Sequence, residues 1–178
     1  FDVVIVETVG VGQSELAVAD LVDVFVLLAS PSGGDDLQGI KRGIMELADL
    51  VVVTKADGEL ANAANHAAAD LRRAIHLLRP KYAGLAAETL LVSSTTGTGV
   101  AEVWQAIEEI HQELRASGQL ADLRARQAKA WLWDEIRAGL LDRFRSERSA
   151  EDVAAVEAAV MAGTLAPGVG ARQLLGGG

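Results

Sequence analysis

The chain has 178 residues, half of them apolar, and carries 25 acidic against 16 basic residues for a formal charge of -9; that length supports one sizeable core or a domain with an appendage. The negative balance argues against a broad electrostatic footprint for nucleic acid or an anionic membrane, but leaves nucleotide binding open, because backbone amides and a few placed cations hold phosphate inside acidic proteins. With no cysteine, disulfides, thiolate metal sites and thiol catalysis are excluded, which fits a reducing compartment. His66, His76 and His111 lack metal-ligand spacing, and no apolar run nears the roughly 20 residues of a membrane helix.

In chain order, Val3 to Val6 is a short β-branched run ending at Glu7, and its pattern predicts a strand buried on both faces. The chain opens on Phe1 inside this pattern, as expected of a piece of a longer protein. Val22 to Ala29 predicts a second strand. Pro31 to Asp36 then reads as a loop feeding a helix over 35–47, with Leu37, Ile40, Ile44 and Leu47 on one stripe. Leu50 to Val53 predicts a third strand, an Ala-rich helix follows over 59–78, and Thr89 to Val92 predicts a fourth strand. A helix over 100–114 carries Val103, Ile107, Ile110 and Leu114 in line. This alternation argues for an α/β fold, doubly wound around a mainly parallel sheet.

After Ser117 the strand patterns stop. One long helix is predicted over 120–144, with Trp133, Ile136, Leu140 and Phe144 on a stripe and Trp131 beside it. Ser149 and Asp152 resemble an N-terminal cap for a further helix, Gly163 suits its end, and Pro167 starts a short last segment. The expected organisation is an α/β part at 1–117 and an all-helical arm at 118–178, the arm packing on the α/β part or on a second copy of itself.

Four segments could carry chemistry. Glu7 ends the first predicted strand, where an open α/β sheet places its ligand crevice; a carboxylate there can hold magnesium, and Gly10 lets its backbone N–H approach a terminal phosphate. Glu-x-x-Gly alone reads first as an ordinary strand-to-loop turn, but the run Val9 to Glu15 has the flexible, polar composition of a phosphate-sensing loop. Thr54-Lys55-Ala56-Asp57 follows the Leu50–Val53 run directly. An Asp carboxylate accepts both N1–H and the exocyclic amine of guanine, which adenine does not offer together, while a Lys stem packs along the base. Ser93 and Ser94, in the loop after the last strand, could supply a backbone N–H to the base carbonyl or simply lead into the next helix. Asp35 or Asp36 could cap the helix they precede, and Lys41 and Arg42 read as solvated helix cations. No Gly-x-x-x-x-Gly-Lys-Ser/Thr phosphate loop occurs in the sequence.

The strings Val-Glu-Thr-Val-Gly-Val-Gly-Gln-Ser-Glu, Ala-Asp-Leu-Val-Asp (19–23), Gly-Gly-Asp-Asp-Leu-Gln-Gly-Ile-Lys-Arg-Gly-Ile (33–44) and Glu-Leu-Ala-Asp-Leu-Val-Val-Val-Thr-Lys-Ala-Asp closely resemble the MeaB/ArgK/MMAA family, P-loop GTPases of the SIMIBI class. The resemblance spans nearly the whole chain. It implies a GTP/GDP site with Mg2+, in which Glu7 serves the metal, Gly10 to Glu15 form switch II with Gly10 and Gln13 beside the reacting phosphate, and Thr54, Lys55, Asp57, Ser93 and Ser94 hold the base. It further implies that Ser30 to Lys41 is a third switch, where Asp35 and Lys41 couple nucleotide state to a partner. That partner is an acyl-CoA mutase, expected to be methylmalonyl-CoA mutase, and adenosylcobalamin is bound by the partner rather than by this chain. A homodimer and a cytoplasmic, bacterial setting are likewise expected.

The sequence departs from the family pattern at several points. Thr54 stands for the usual Asn of Asn-Lys-x-Asp, Ser94 for Ala, Asp36 for Glu and Ser32 for Gly, and the phosphate loop is missing. The expected function is a GTPase chaperone of the mutase, with this stretch inactive alone. The alternatives are a non-catalytic dimerisation and docking module and a metallochaperone GTPase of the same class, the latter disfavoured by the lack of Cys and of a His cluster. A kinase linked to amino-acid transport, a label the family has carried, lacks a base for a substrate hydroxyl.

Overall fold

Leu50–Val53 forms β2, and all four of its side chains are buried. Apolar residues on both faces suit a strand with neighbours on each side and helices above and below. β1 (Val26–Ala29) and β3 (Glu88–Leu91) are those neighbours, both parallel to β2, in the order β1-β2-β3. Val26 pairs with Leu50 and Leu50 with Glu88, and the register runs on to Ala29, Val53 and Leu91. The computed structural model describes residues 1–8, 14–31 and 42–176.

Strand side chains alternate, so Val51 and Val53 enter one core while Leu50 and Val52 enter another. The first core is covered by α1 (Ser14–Ala19), α2 (Arg42–Leu47) and α3 (Ala61–His76). Along α3, Ala64, Ala67, Ala68 and Leu71 form the buried stripe, and the small alanines let the helix backbone approach the sheet. The second core takes Ile110 and Leu114 from α4 (Val100–Ala116) and Leu120 and Leu123 from the first turns of α5 (Gln119–Glu147), together with Tyr82. Helices on both faces of a parallel sheet make this a doubly wound α/β fold, as the periodicity predicts.

The chain divides into two compact units, Phe1–Gln127 and Ala128–Gly178, and the division falls inside α5. In the second unit α6 (Ala150–Met161) starts as its sequence predicts, with Ser149 Oγ accepting the Asp152 N–H at 3.0 Å. α7 (Pro167–Leu175) packs on it. At Gly170 a β-carbon would meet Val156 at 2.9 Å, so that crossing needs glycine. Among the described residues, no helix is long and apolar enough to cross a membrane.

Two strand expectations are corrected. Residues 1–8 contain no strand, and Val3 to Val6 are exposed, Ile5 by 83%. A strand exists only when its backbone groups pair with a neighbour, and β1 and β3 each pair with β2 alone among the described residues. The run at 22–29 becomes a strand only from Val26, because other groups take the earlier backbone atoms. The Phe25 N–H donates to Asp49 Oδ2 at 2.8 Å, and the Val22 carbonyl accepts from Gln127 Nε2 at 2.8 Å.

Asp49 closes the amino-terminal edge of the sheet. Its Oδ2 also accepts from Lys81 Nζ at 3.0 Å, and Lys81 in turn donates to the Leu47 carbonyl and lies 5.0 Å from the Tyr82 ring centre. Burial pushes the Asp49 carboxyl up, against the opposing pull of Lys81 and the Phe25 N–H. Burial also raises the Tyr82 hydroxyl to about 12, with Asp49 adding to the effect. These groups tie together the segments entering all three strands, while the carboxyl edge carries the candidate chemistry.

Candidate functional site

At the carboxyl edge the ladder continues one residue past the strands. The Thr54 N–H donates to the Ala29 carbonyl at 2.8 Å, and the Val92 N–H donates to the Val53 carbonyl at 2.9 Å. Next, the Ala56 N–H donates to the Val92 carbonyl at 3.0 Å. That last bond turns the chain after Thr54 toward the end of β3 and sets the Thr54–Asp57 turn beside Ser93. Thr54 also donates through its hydroxyl to the Ala29 carbonyl, at 3.2 Å.

Between these two anchored residues Lys55 is exposed and takes φ +57°. Positive φ disfavours a residue with a β-carbon by roughly 1–2 kcal/mol, and such a conformation persists only where its surroundings impose it. Here the fixed bonds of Thr54 and Ala56 impose it. Asp57 follows in extended conformation and caps the short 3-10 turn Gly58–Leu60 through its carbonyl, which accepts from the Leu60 N–H at 3.2 Å. Its carboxylate makes no cap hydrogen bond and is left as an acceptor at the edge of the sheet.

The opposing wall is the loop Ser93–Gly99. Ser93 is buried; its N–H donates to the Thr98 carbonyl at 2.9 Å, and its hydroxyl accepts the Thr96 N–H at 3.2 Å. Thr96 and Thr98 hydroxyls lie 2.8 Å apart. The loop closes at Gly99, with φ +80°, where a β-carbon would sit 2.1 Å from the Leu91 carbonyl oxygen. The loop is tightly folded on itself, and Ser94 beside Ser93 is exposed.

Of the residues singled out from sequence, Thr54, Lys55, Asp57, Ser93 and Ser94 are therefore gathered at one edge. Glu7 lies in the exposed segment 1–8, without the strand expected to position it. Gly10, Gln13, Asp35 and Lys41 lie outside the described residues. A carboxylate such as Glu7 is a hard oxygen donor of the kind magnesium takes; among the described residues no group of three or more carboxylates or histidines forms a fuller cage. Sequence reasoning did not single out Gly99 or the positive φ of Lys55. The signal for Gly99 was present as Gly97-Thr98-Gly99 ahead of a helix; Lys55 had none, because its conformation comes from bonds to Ala29 and Val92.

Residues 1–149 match the family described as methylmalonyl-CoA mutase-associated GTPase MeaB. Among similar proteins, the mouse (Mus musculus) "Methylmalonic aciduria type A homolog, mitochondrial" is 45% identical over 176 residues, covering 98% of this chain and 42% of that protein. The Escherichia coli "GTPase ArgK" is 42% identical over 180 residues, covering 98% and 53%. A crystal structure of a LAO/AO transport system kinase superposes with a TM-score of 0.74 at 38% identity, covering 98% of this chain and 56% of that one. The chain thus spans about half the length of the relatives it matches.

The geometry separates two glycines. Gly99→Ala should lower stability by about 2 kcal/mol or more, from positive φ plus the clash with Leu91, whereas Gly84→Ala, at φ +83° with open space around it, should lose only about 1 kcal/mol. Urea unfolding of the two variants checks this; equal losses would contradict the close approach.

Proposed function

The chain belongs to the MeaB family of methylmalonyl-CoA mutase-associated GTPases, and from that premise we propose that it is the base-reading part of a GTPase that chaperones an acyl-CoA mutase. The observation that carries the reading is the joined edge of β2 and β3, where Lys55 is held at positive φ and the Asp57 carboxylate is not used by its own helix cap. Asp57 accepts from N1 and the exocyclic amine of guanine, and the Lys55 stem covers one face of the ring. Backbone N–H groups of the Ser93–Ser94 loop serve the base carbonyl. The Thr54 hydroxyl does the work of tying loops together that a side-chain amide would do, through its bond to Ala29.

Hydrolysis and phosphate gripping belong to the longer protein, in which phosphoryl transfer depends on positioning and charge neutralisation more than on covalent chemistry. In this reading Glu7 serves the magnesium ion, Gly10 and Gln13 lie beside the reacting phosphate, and Asp35 and Lys41 report nucleotide state to the mutase. Methylmalonyl-CoA mutase is the favoured partner, since the family description names it. Adenosylcobalamin stays with the mutase, and the GTPase gates its delivery and protection.

The distal half of α5 leaves Trp131, Leu132, Trp133, Leu140 and Leu141 exposed. Apolar surface of that extent along one helix suits an interface, and pairing with a second copy is the proposed use. Light scattering on Leu140→Lys should shift the assembly from dimer toward monomer; an unchanged dimer would remove this face from the interface.

Base reading is tested by Asp57→Asn in the longer protein. Hydrogen bonds to a charged acceptor contribute about 1.5–3 kcal/mol, so GDP affinity should fall roughly 10- to 150-fold by calorimetry. Xanthosine diphosphate, with a carbonyl in place of the exocyclic amine, should then bind better than GDP. Unchanged GDP affinity would remove Asp57 from the site.

A further inference from the structure

Residues 20–25, between α1 and β1, are held from two sides. On the sheet side, the Phe25 N–H donates to Asp49 Oδ2 at 2.8 Å, and the Phe25 carbonyl accepts from the N–H groups of Asp49 at 2.9 Å and Leu50 at 3.3 Å. On the other side, α5 grips the same loop. Gln127 Nε2 donates to the Val22 carbonyl at 2.8 Å, and Arg124 makes two bonds to Asp23, Nε to Oδ1 at 2.9 Å and Nη2 to Oδ2 at 2.6 Å. His111 of α4 adds its Nε2 at 3.9 Å from Asp23 Oδ2.

The two grips differ physically. Gln127 is only 7% exposed, so its amide is committed to Val22, and its loss leaves a carbonyl without its partner. The Asp23–Arg124 pair is largely open to solvent, with Arg124 60% exposed. As a stability device such a pair contributes at most about 1 kcal/mol; as a two-bond fork it fixes orientation. Hydrogen bonding from Arg124 holds the Asp23 carboxyl below the usual carboxylate range, against the opposing effect of burial. Both grips fall on the stretch that directly follows α1. Ala19 of α1 and Val22 also pack in the core beneath α3, so little slack remains between α1 and the clamp.

We propose that Arg124 and Gln127 are positioning residues for the nucleotide switch: through Asp23 and Val22 they fix the trailing end of α1, so that a displacement of α1 between nucleotide states is passed to α5 and not absorbed in residues 20–25. This rests on the GTPase reading, in which α1 begins within the last residues of the phosphate-sensing run. α5 runs unbroken from Gln119 to Glu147 and carries Trp131 and Trp133 beyond the clamp, which makes the two indoles reporters of its state. Coupling of this kind is reciprocal: if nucleotide state biases α5, the state of α5 biases nucleotide affinity.

The test uses the longer protein labelled with 5-fluorotryptophan, its Trp131 and Trp133 fluorine resonances assigned by single Trp→Phe replacements. Exchanging GDP for a non-hydrolysable GTP analogue should shift both resonances. In Arg124→Ala and Gln127→Ala the shift should shrink several-fold and the ratio of GDP to GTP-analogue affinity should change by calorimetry, while the variants remain folded by circular dichroism. Reversing the pair, Asp23→Arg with Arg124→Asp, should restore the response that Arg124→Ala loses. A nucleotide-dependent shift undiminished in the clamp variants, or a wild-type protein that binds both nucleotides without any shift, would overturn the coupling. A wild-type protein that binds no guanine nucleotide would instead overturn the GTPase reading beneath it.

Discussion

Four buried residues, Leu50–Val53, set the constraint on which the rest of the first unit depends. With neighbours on both edges and a core on each face, β2 allows neither a register shift nor a polar substitution, since a one-residue slip would exchange its two cores. The candidate base site and the Asp49 cluster are attached to its ends. Asp49 before it gathers the approaches to the strands through Phe25 and Lys81, and Thr54 after it begins the turn that ends at Asp57. Burial of the backbone in the centre of the sheet holds the turn geometry fixed, as the proposed reading of a base requires.

The strain at Lys55 follows from the same constraint. Thr54 completes the ladder to β1 while Ala56 reaches across to Val92 beside β3, so one residue must reverse the chain between them, and that residue takes positive φ. On the facing loop the equivalent demand is met by Gly99, where the Leu91 carbonyl occupies the place of a side chain. One wall is thus built with a glycine and the other with a strained lysine. A glycine at 55 would relieve the backbone but remove the stem assigned to the guanine ring.

The α/β architecture was legible because buried parallel strands write themselves as continuous branched runs, and Leu50 to Val53 is such a run. Apolar stripes placed α4 and the long α5, an Ala-rich run placed α3, and the Ser149–Asp152 cap was readable from two residues. The same rule misread Val3 to Val6: apolar, β-branched sequence permits a strand, but pairing makes one, and pairing is not local information. Val22 to Phe25 was misread because partners from Gln127 and Asp49, distant in sequence, claim its backbone. At the site, Thr54, Lys55, Asp57 and Ser93 were found as motif residues, whereas the bonds that bring them together link distant chain positions, as Val53 to Val92 and Ala56 to Val92, and leave no local pattern.

The central claim is that the carboxyl edge of β2 and β3 reads guanine. A crystal structure of the longer protein with GDP tests it most directly. The account predicts both Asp57 carboxylate oxygens at about 2.7–3.2 Å from N1 and the exocyclic amine of the base, with the Lys55 stem against the ring and a backbone N–H of the Ser93–Ser94 loop on its carbonyl. A guanine bound elsewhere, or bound here with the Asp57 carboxylate turned away from it, would contradict the account.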